Sequence, residues 1–130
     1  MTTIKGSCHC GAVAFEASFE AEIETSKCNC SICTKTRFWK TLVPAAAFTL
    51  SKGEEALQTY RFGSEAIGHR ICGTCGVKVY GTVSTNDMDL VAISVPCLDL
   101  SPDELAALPV SFEDGRHDAQ ESRPDLTSYL

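Results

Sequence analysis

A mainly β chain of antiparallel strands with one short C-terminal helix follows from three observations. Apolar and polar residues alternate over short stretches, turn signals recur between those stretches, and one segment alone carries helix-start chemistry. Val13, Phe15, Ala17 and Phe19 alternate with Ala14, Glu16 and Ser18, the period of a half-buried strand. Residues 37–43 read as a second strand stopped by Pro44. Ser51-Lys-Gly-Glu-Glu55 is a turn signal, and Leu57–Phe62 follows with Tyr60 and Phe62 on one face. Residues 66–71 extend the sheet. Val77, Val79 and Val83 then alternate with Lys78, Tyr80 and Thr82, Asn86-Asp87 turns the chain, and the apolar run Leu90–Val95 ends at Pro96. The helix begins at Ser101-Pro-Asp-Glu104, with an N-cap serine, a proline at the first helical position and a glutamate three residues after the cap. It is expected to run through Leu108 and end at Pro109.

One domain fits the length of 130 residues, and 44% hydrophobic with 22% charged residues is ordinary globular usage. Residues 1–116 are expected to form the domain, and 117–130, polar and unpatterned, a loosely held tail. The formal charge of −6 disfavours a nucleic-acid partner and an anionic membrane surface. The opening residues lack an apolar signal region and no apolar run is long enough to span a bilayer, which predicts a cytoplasmic protein.

Eight cysteines fall into three clusters and a singleton. In a reducing compartment such clusters more often bind metal than form disulfides. Cys8-His-Cys10-Gly11 and Cys72-Gly-Thr-Cys75-Gly76 each end in glycine, which supplies the tight turn that aims two sulfurs at one ion. Together they form the tetrahedral four-thiolate set of a structural zinc, tying the amino-terminal strand to the second half of the domain. Cys28-Asn-Cys30-Ser-Ile-Cys33 offers three thiolates within six residues and no following glycine. Three ligands with a free fourth position is how catalytic zinc is held. The alternatives are ferrous iron, an iron–sulfur cluster, or a second structural zinc closed by Cys97, His69 or His117. Core packing is the expected role of Cys97, His9 is expected to point away from the metal, and His69 to lie at the surface. Lys27, Lys35, Arg37 and Lys40 flank the middle cluster and could pair with an anionic ligand.

Gly6-Ser-Cys-His-Cys-Gly-Ala-Val13, Cys28-Asn-Cys-Ser-Ile-Cys33 and Cys72-Gly-Thr-Cys-Gly76 resemble, in order and spacing, the glutathione-dependent formaldehyde-activating enzyme family. Gly53-Glu-Glu-Ala-Leu-Gln-Thr-Tyr-Arg-Phe62 and the run from Val95-Pro-Cys-Leu98 to Phe112-Glu-Asp-Gly-Arg116 are similar to it as well. The resemblance covers about residues 4–116. It implies a β-tent fold with two zinc ions per chain: a structural ion on Cys8, Cys10, Cys72 and Cys75, and a catalytic one on Cys28, Cys30 and Cys33. It further implies a carbon–sulfur lyase acting on a thiol–aldehyde adduct such as S-hydroxymethylglutathione, with a small-molecule thiol as partner. The competing reading is a non-catalytic zinc module serving as a protein-interaction platform. A dithiol redox role for Cys72 and Cys75 has no βαβ context to support it.

Overall fold

In the computed structural model, which describes residues 1–130, the chain folds into two sheets with a common core. The smaller has three strands in the order β1-β2-β5: β1 is Thr2–Ser7, β2 Ala14–Phe19 and β5 Phe48–Lys52. The larger has seven, in the order β10-β3-β4-β9-β8-β7-β6. Its members are β3 (Thr25–Cys28), β4 (Trp39–Pro44), β6 (Leu57–Tyr60), β7 (Ile67–Cys72), β8 (Lys78–Ser84), β9 (Asp89–Ser94) and β10 (Val110–Glu113). All neighbours are antiparallel except β10 and β3.

The mainly β architecture and the short C-terminal helix are as the sequence predicts. That helix, α2, is Pro102–Ala106 and carries the full capping box: Glu104 N donates to Ser101 Oγ at 3.1 Å, and Ser101 N to Glu104 Oε1 at 3.0 Å. It stops short of Leu108 because Pro109 offers its carbonyl to Thr25, which pulls the following residues into β10. A second short helix, α1 (Ser31–Thr36), was not expected; its residues are four polar side chains and Cys33 around Ile32, with no apolar stripe to announce it.

Period-2 alternation gives the large sheet two different faces. One packs on the small sheet, where Phe15 stacks on Phe48 at 5.2 Å and Phe48 meets Tyr80 at 4.6 Å. Val13, Ala17, Val79, Val91 and Ile93 complete this core, each at most 4% exposed. The opposite face carries Cys28, Lys40, Leu42, Ala92, Gly81 and His69 along successive strands, as the registers Leu42↔Ala92, Gly81↔Ala92 and His69↔Gly81 show. This second face is the one that holds the cavity described below.

Residues 117–130 are not loose. Asp114 N donates to Ser122 O at 3.0 Å, Arg123 lies 4.6 Å over the Phe112 ring, and Leu130 is buried. The Leu130 carbonyl accepts from Lys27 Nζ at 3.3 Å and Arg37 Nη2 at 3.2 Å. A few well-placed contacts order this segment without any hydrophobic period that a sequence reading could detect.

Candidate metal and thiol site

The two glycine-ended pairs form matching knuckles. Cys8 follows β1 and its amide donates to Val13 O at 3.0 Å; Cys72 ends β7 and its amide donates to Val77 O at 2.9 Å. Gly11 and Gly76 sit at φ 80° and 79°, the left-handed region that closes each turn at least cost for glycine. The four sulfurs of Cys8, Cys10, Cys72 and Cys75 lie within 4.8 Å of one another. Cys10 Sγ is 3.7 Å from both Cys8 Sγ and Cys72 Sγ. A tetrahedron with zinc–sulfur bonds of about 2.3 Å has edges of about 3.8 Å, so this set fits one zinc ion. Backbone amides of Cys10 and Val77 lower the Cys75 thiol to about 6, and Val13 N donates to Cys8 Sγ at 3.4 Å. Each knuckle thus helps to stabilise thiolate for the shared site.

Cys28, Cys30 and Cys33 converge differently. Cys28 ends β3, Cys30 is the N-cap of α1, and Cys33 lies within that helix. Asn29, buried between the first two, fixes the turn. Its amide donates to Asp114 Oδ1 at 2.9 Å, its side-chain oxygen accepts from Arg116 N at 2.9 Å, and its carbonyl accepts from Thr34 Oγ1 at 3.0 Å. The neighbouring Cys28 and Cys33 thiols push Cys30 down to about 2 and Cys33 is driven up, while Cys30 N donates to Cys28 Sγ at 3.5 Å. The three thiols offer a soft ligand set of the kind zinc takes, but their sulfurs are not gathered within 4.8 Å of one another as those of the four-cysteine set are. Gly115 leaves room for them: a β-carbon there would come to 2.5 Å from Cys28 Sγ. Gln120 Oε1 lies 3.7 Å from the same sulfur.

All three thiols line a cavity of about 370 Å³ on the outer face of the large sheet. Of the candidate fourth ligands, His69 alone shares this cavity. Cys97 packs in the core, as expected, with its thiol directed at Lys78 O at 3.9 Å. His117 is exposed and pairs with Asp114 at 2.9 Å. His69 departs from the surface position expected for it: it is 4% exposed, because strand pairing places it beside Gly81 on the cavity face. Its Nδ1 lies 2.8 Å from Lys78 Nζ, and its Nε2 is buried without a partner. Burial, with Lys78 and Arg61 nearby, lowers His69 to about 4 and keeps it neutral.

The basic flank also differs from expectation. Lys35 is exposed, and Lys27 and Arg37 are turned to Leu130. Lys40 alone of the four reaches the cavity, where it is paired with Glu113 at 2.7 Å and Ser26 Oγ at 2.9 Å. The ammonium group beside the thiols is Lys78, which the sequence presented as the polar half of an alternating strand. It lies 3.7 Å from the Phe38 ring centre, and burial, opposed by the nearby Cys33 and Cys30, lowers it to about 8. A shift of register between Arg70 and Ile71, invisible to a period-2 reading, accompanies this placement.

A family model described as glutathione-dependent formaldehyde-activating enzyme matches residues 3–112. The chain belongs to this family. In three dimensions it is similar to the crystal structure of a Rhodobacter sphaeroides protein, with a TM-score of 0.71 and 28% identity over 82% of this chain and 99% of that one. Membership in the formaldehyde-activating family agrees with the resemblance in the three cysteine clusters, and the family match encloses all of them. No helix is long and apolar enough to cross a membrane.

Two expected outcomes follow from this geometry. A zinc ion on the four-cysteine set would contribute roughly 10–16 kcal/mol of apparent binding free energy against a typical net stability of about 5–15 kcal/mol, so Cys75→Ser should abolish cooperative folding and lower metal content. Cys30→Ser should keep a cooperative melt and the metal of the four-cysteine set. Elemental analysis and thermal denaturation check both, and equal damage by the two would contradict the division of roles.

The second outcome concerns acid. His69 has a folded value of about 4, below its ordinary value of 6.5, so the unfolded chain takes up the proton first as pH falls. This contribution to stability is complete above 6.5 and is lost as pH falls toward 4. Between pH 7 and pH 5 the loss is on the order of 2 kcal/mol. Denaturant titrations should show a pH 7-to-5 loss smaller by about that amount in His69→Gln; an unchanged loss would contradict the assignment of a neutral, buried imidazole.

Proposed function

We propose that this protein is a zinc-dependent carbon–sulfur lyase that cleaves, and reversibly forms, adducts of a thiol with a one-carbon aldehyde, of the S-hydroxymethylglutathione type. Cys8, Cys10, Cys72 and Cys75 hold a structural zinc in this reading, and Cys28, Cys30 and Cys33 a second. The observation that carries it is the placement of three thiols and Lys78 at one cavity rather than under a closed surface. A closed four-ligand site with no adjoining cavity would instead have favoured the interaction-platform reading.

Zinc bound to Cys28, Cys30 and Cys33 would supply a Lewis acid with one open position, favouring the substrate sulfur as thiolate. The residues of the chain supply the rest. In the cleavage direction the carbon–sulfur bond breaks, its electron pair goes to sulfur, and the hydroxyl proton leaves as the carbonyl forms. Lys78 Nζ, beside the thiols and lowered to about 8, is the group placed to take that proton as the neutral amine and, in the reverse direction, to return it from the ammonium to the aldehyde oxygen. His69 Nδ1, 2.8 Å away, holds the Lys78 amine in position. Phe38 and the sheet beneath limit water around the ammonium group.

The direct test is exchange spectroscopy by NMR on formaldehyde mixed with a panel of thiols. The zinc-loaded protein should accelerate interconversion of free thiol and hydroxymethyl adduct. Lys78→Met should lower the catalysed rate by roughly 10²–10⁴-fold while both metals are retained. No acceleration with any thiol would refute the lyase reading, and an undiminished rate in Lys78→Met would remove Lys78 from it.

A further inference from the structure

The walls of the cavity bear on which thiol it accepts. Above the cysteines the sheet presents Leu42, Ile67, Val83, Leu90 and Ala92. Strand pairing sets Ile67 opposite Val83, Val83 opposite Leu90, and Leu42 opposite Ala92, so these side chains form one continuous apolar surface across four strands. Gly81, opposite Ala92, contributes no side chain, and a β-carbon there would meet only ordinary contacts at 3.6 and 3.7 Å. The floor is therefore low because the residue is small, not because the backbone demands glycine. Leu42 and Ile67 remain 48% and 41% exposed at the rim, which leaves the apolar surface open to a ligand.

Each cation around the cavity already has a partner, and for Lys40 that partner is a carboxylate. Lys40 is held by Glu113 and Ser26, and Lys78 by His69 and the Phe38 ring at the thiol end. Lys27 and Arg37 are committed to the Leu130 carbonyl, and Arg61 Nη1 donates to Glu65 O at 3.1 Å. The carboxylate that lines the cavity is Glu113, which would repel another. Glutathione carries two carboxylates and an ammonium group; Lys78, the cavity cation without an anionic partner, sits at the thiol end, so charges laid along the apolar wall would be desolvated without a counterion.

We propose that the cavity selects thiol adducts whose body is apolar and uncharged, an alkyl or aryl thiol rather than a charged tripeptide. The inference rests on the carbon–sulfur lyase reading for its thiol headgroup, with the sulfur at the cysteine end and the apolar body along Leu42, Ile67 and Leu90. Selectivity then comes from burial: each methylene added to an alkyl thiol should improve affinity roughly three- to fourfold until the cavity is filled.

Binding to the zinc-loaded protein by isothermal calorimetry decides this without any turnover. Ethanethiol, 1-propanethiol and 1-butanethiol should bind with stepwise rising affinity. 3-Mercaptopropionate, similar in size to 1-butanethiol but carrying a carboxylate, should bind at least about tenfold more weakly, and glutathione should resemble it. Leu42→Arg, at an exposed rim position that leaves the core untouched, should narrow that ratio. A flat alkyl series, or 3-mercaptopropionate or glutathione bound as tightly as 1-butanethiol, would overturn the proposal. The exchange experiment on the same thiols separates this from the lyase reading: a glutathione adduct turned over faster than an alkyl one would overturn apolar selection and leave the lyase standing. Graded alkyl binding with no turnover would uphold the selection and sink the lyase.

Discussion

Four sulfurs gathered as closely as Cys8, Cys10, Cys72 and Cys75 cannot all be thiolates without a cation among them. At the observed 3.7 Å, each pair of unit charges costs roughly 1 kcal/mol in water and about 4 kcal/mol at an effective dielectric near 20. At that lower dielectric the six pairs, two at 3.7 Å and all within 4.8 Å, would together exceed the stability of an ordinary domain. Yet the backbone amides around Cys8 and Cys75 favour the charged form, so the knuckles suit thiolates and a cation that would neutralise them. The rest of the fold depends on this joint. It fixes the end of β1 to the end of β7, which lie in different sheets, and the core of Phe15, Phe48 and Tyr80 fills the space between.

With one face of the large sheet committed to that core, its other face is free to carry chemistry. Burial on the core side holds the strands in register, and register places Cys28, Lys40, Gly81 and His69 on the cavity side. The three-cysteine cluster sits where β3 hands over to α1, a turn fixed by Asn29 against Asp114 and Arg116. Residues from the last part of the chain therefore support the site from behind. Gly115 gives Cys28 its room, and Gln120 reaches its sulfur.

Local chemistry was legible in the sequence, and long-range pairing was not. The knuckles could be read because their spacing and their closing glycines are local properties, and the capping box at Ser101 for the same reason. Most of the core strands could be read from alternation. β1 escaped because Ile4 is its single large apolar residue, β3 because it has none, β5 because it runs into the turn signal at Ser51, and β10 because its Pro109 anchor acts through Thr25, 84 residues away. Lys78 and His69 looked like the polar half of a strand and a surface histidine. Their approach depends on the pairing of β7 with β8 and on the irregularity between Arg70 and Ile71, which no single-strand pattern contains. Lys27, Lys35 and Arg37 misled in the opposite sense: they are close to the cluster along the chain but turn away from it in space.

X-ray absorption at the zinc edge of protein purified without chelator tests the central claim most directly, because it reads the ligands of the metal rather than their consequences. A four-sulfur site averaged with a three-sulfur site should give between three and four sulfur scatterers per zinc at about 2.3 Å, with a minor oxygen or nitrogen shell near 2.0–2.1 Å. Addition of 1-butanethiol should raise the sulfur count toward four at the expense of the lighter shell. A shell dominated by nitrogen and oxygen, or protein free of zinc with its cysteines oxidised, would contradict the account.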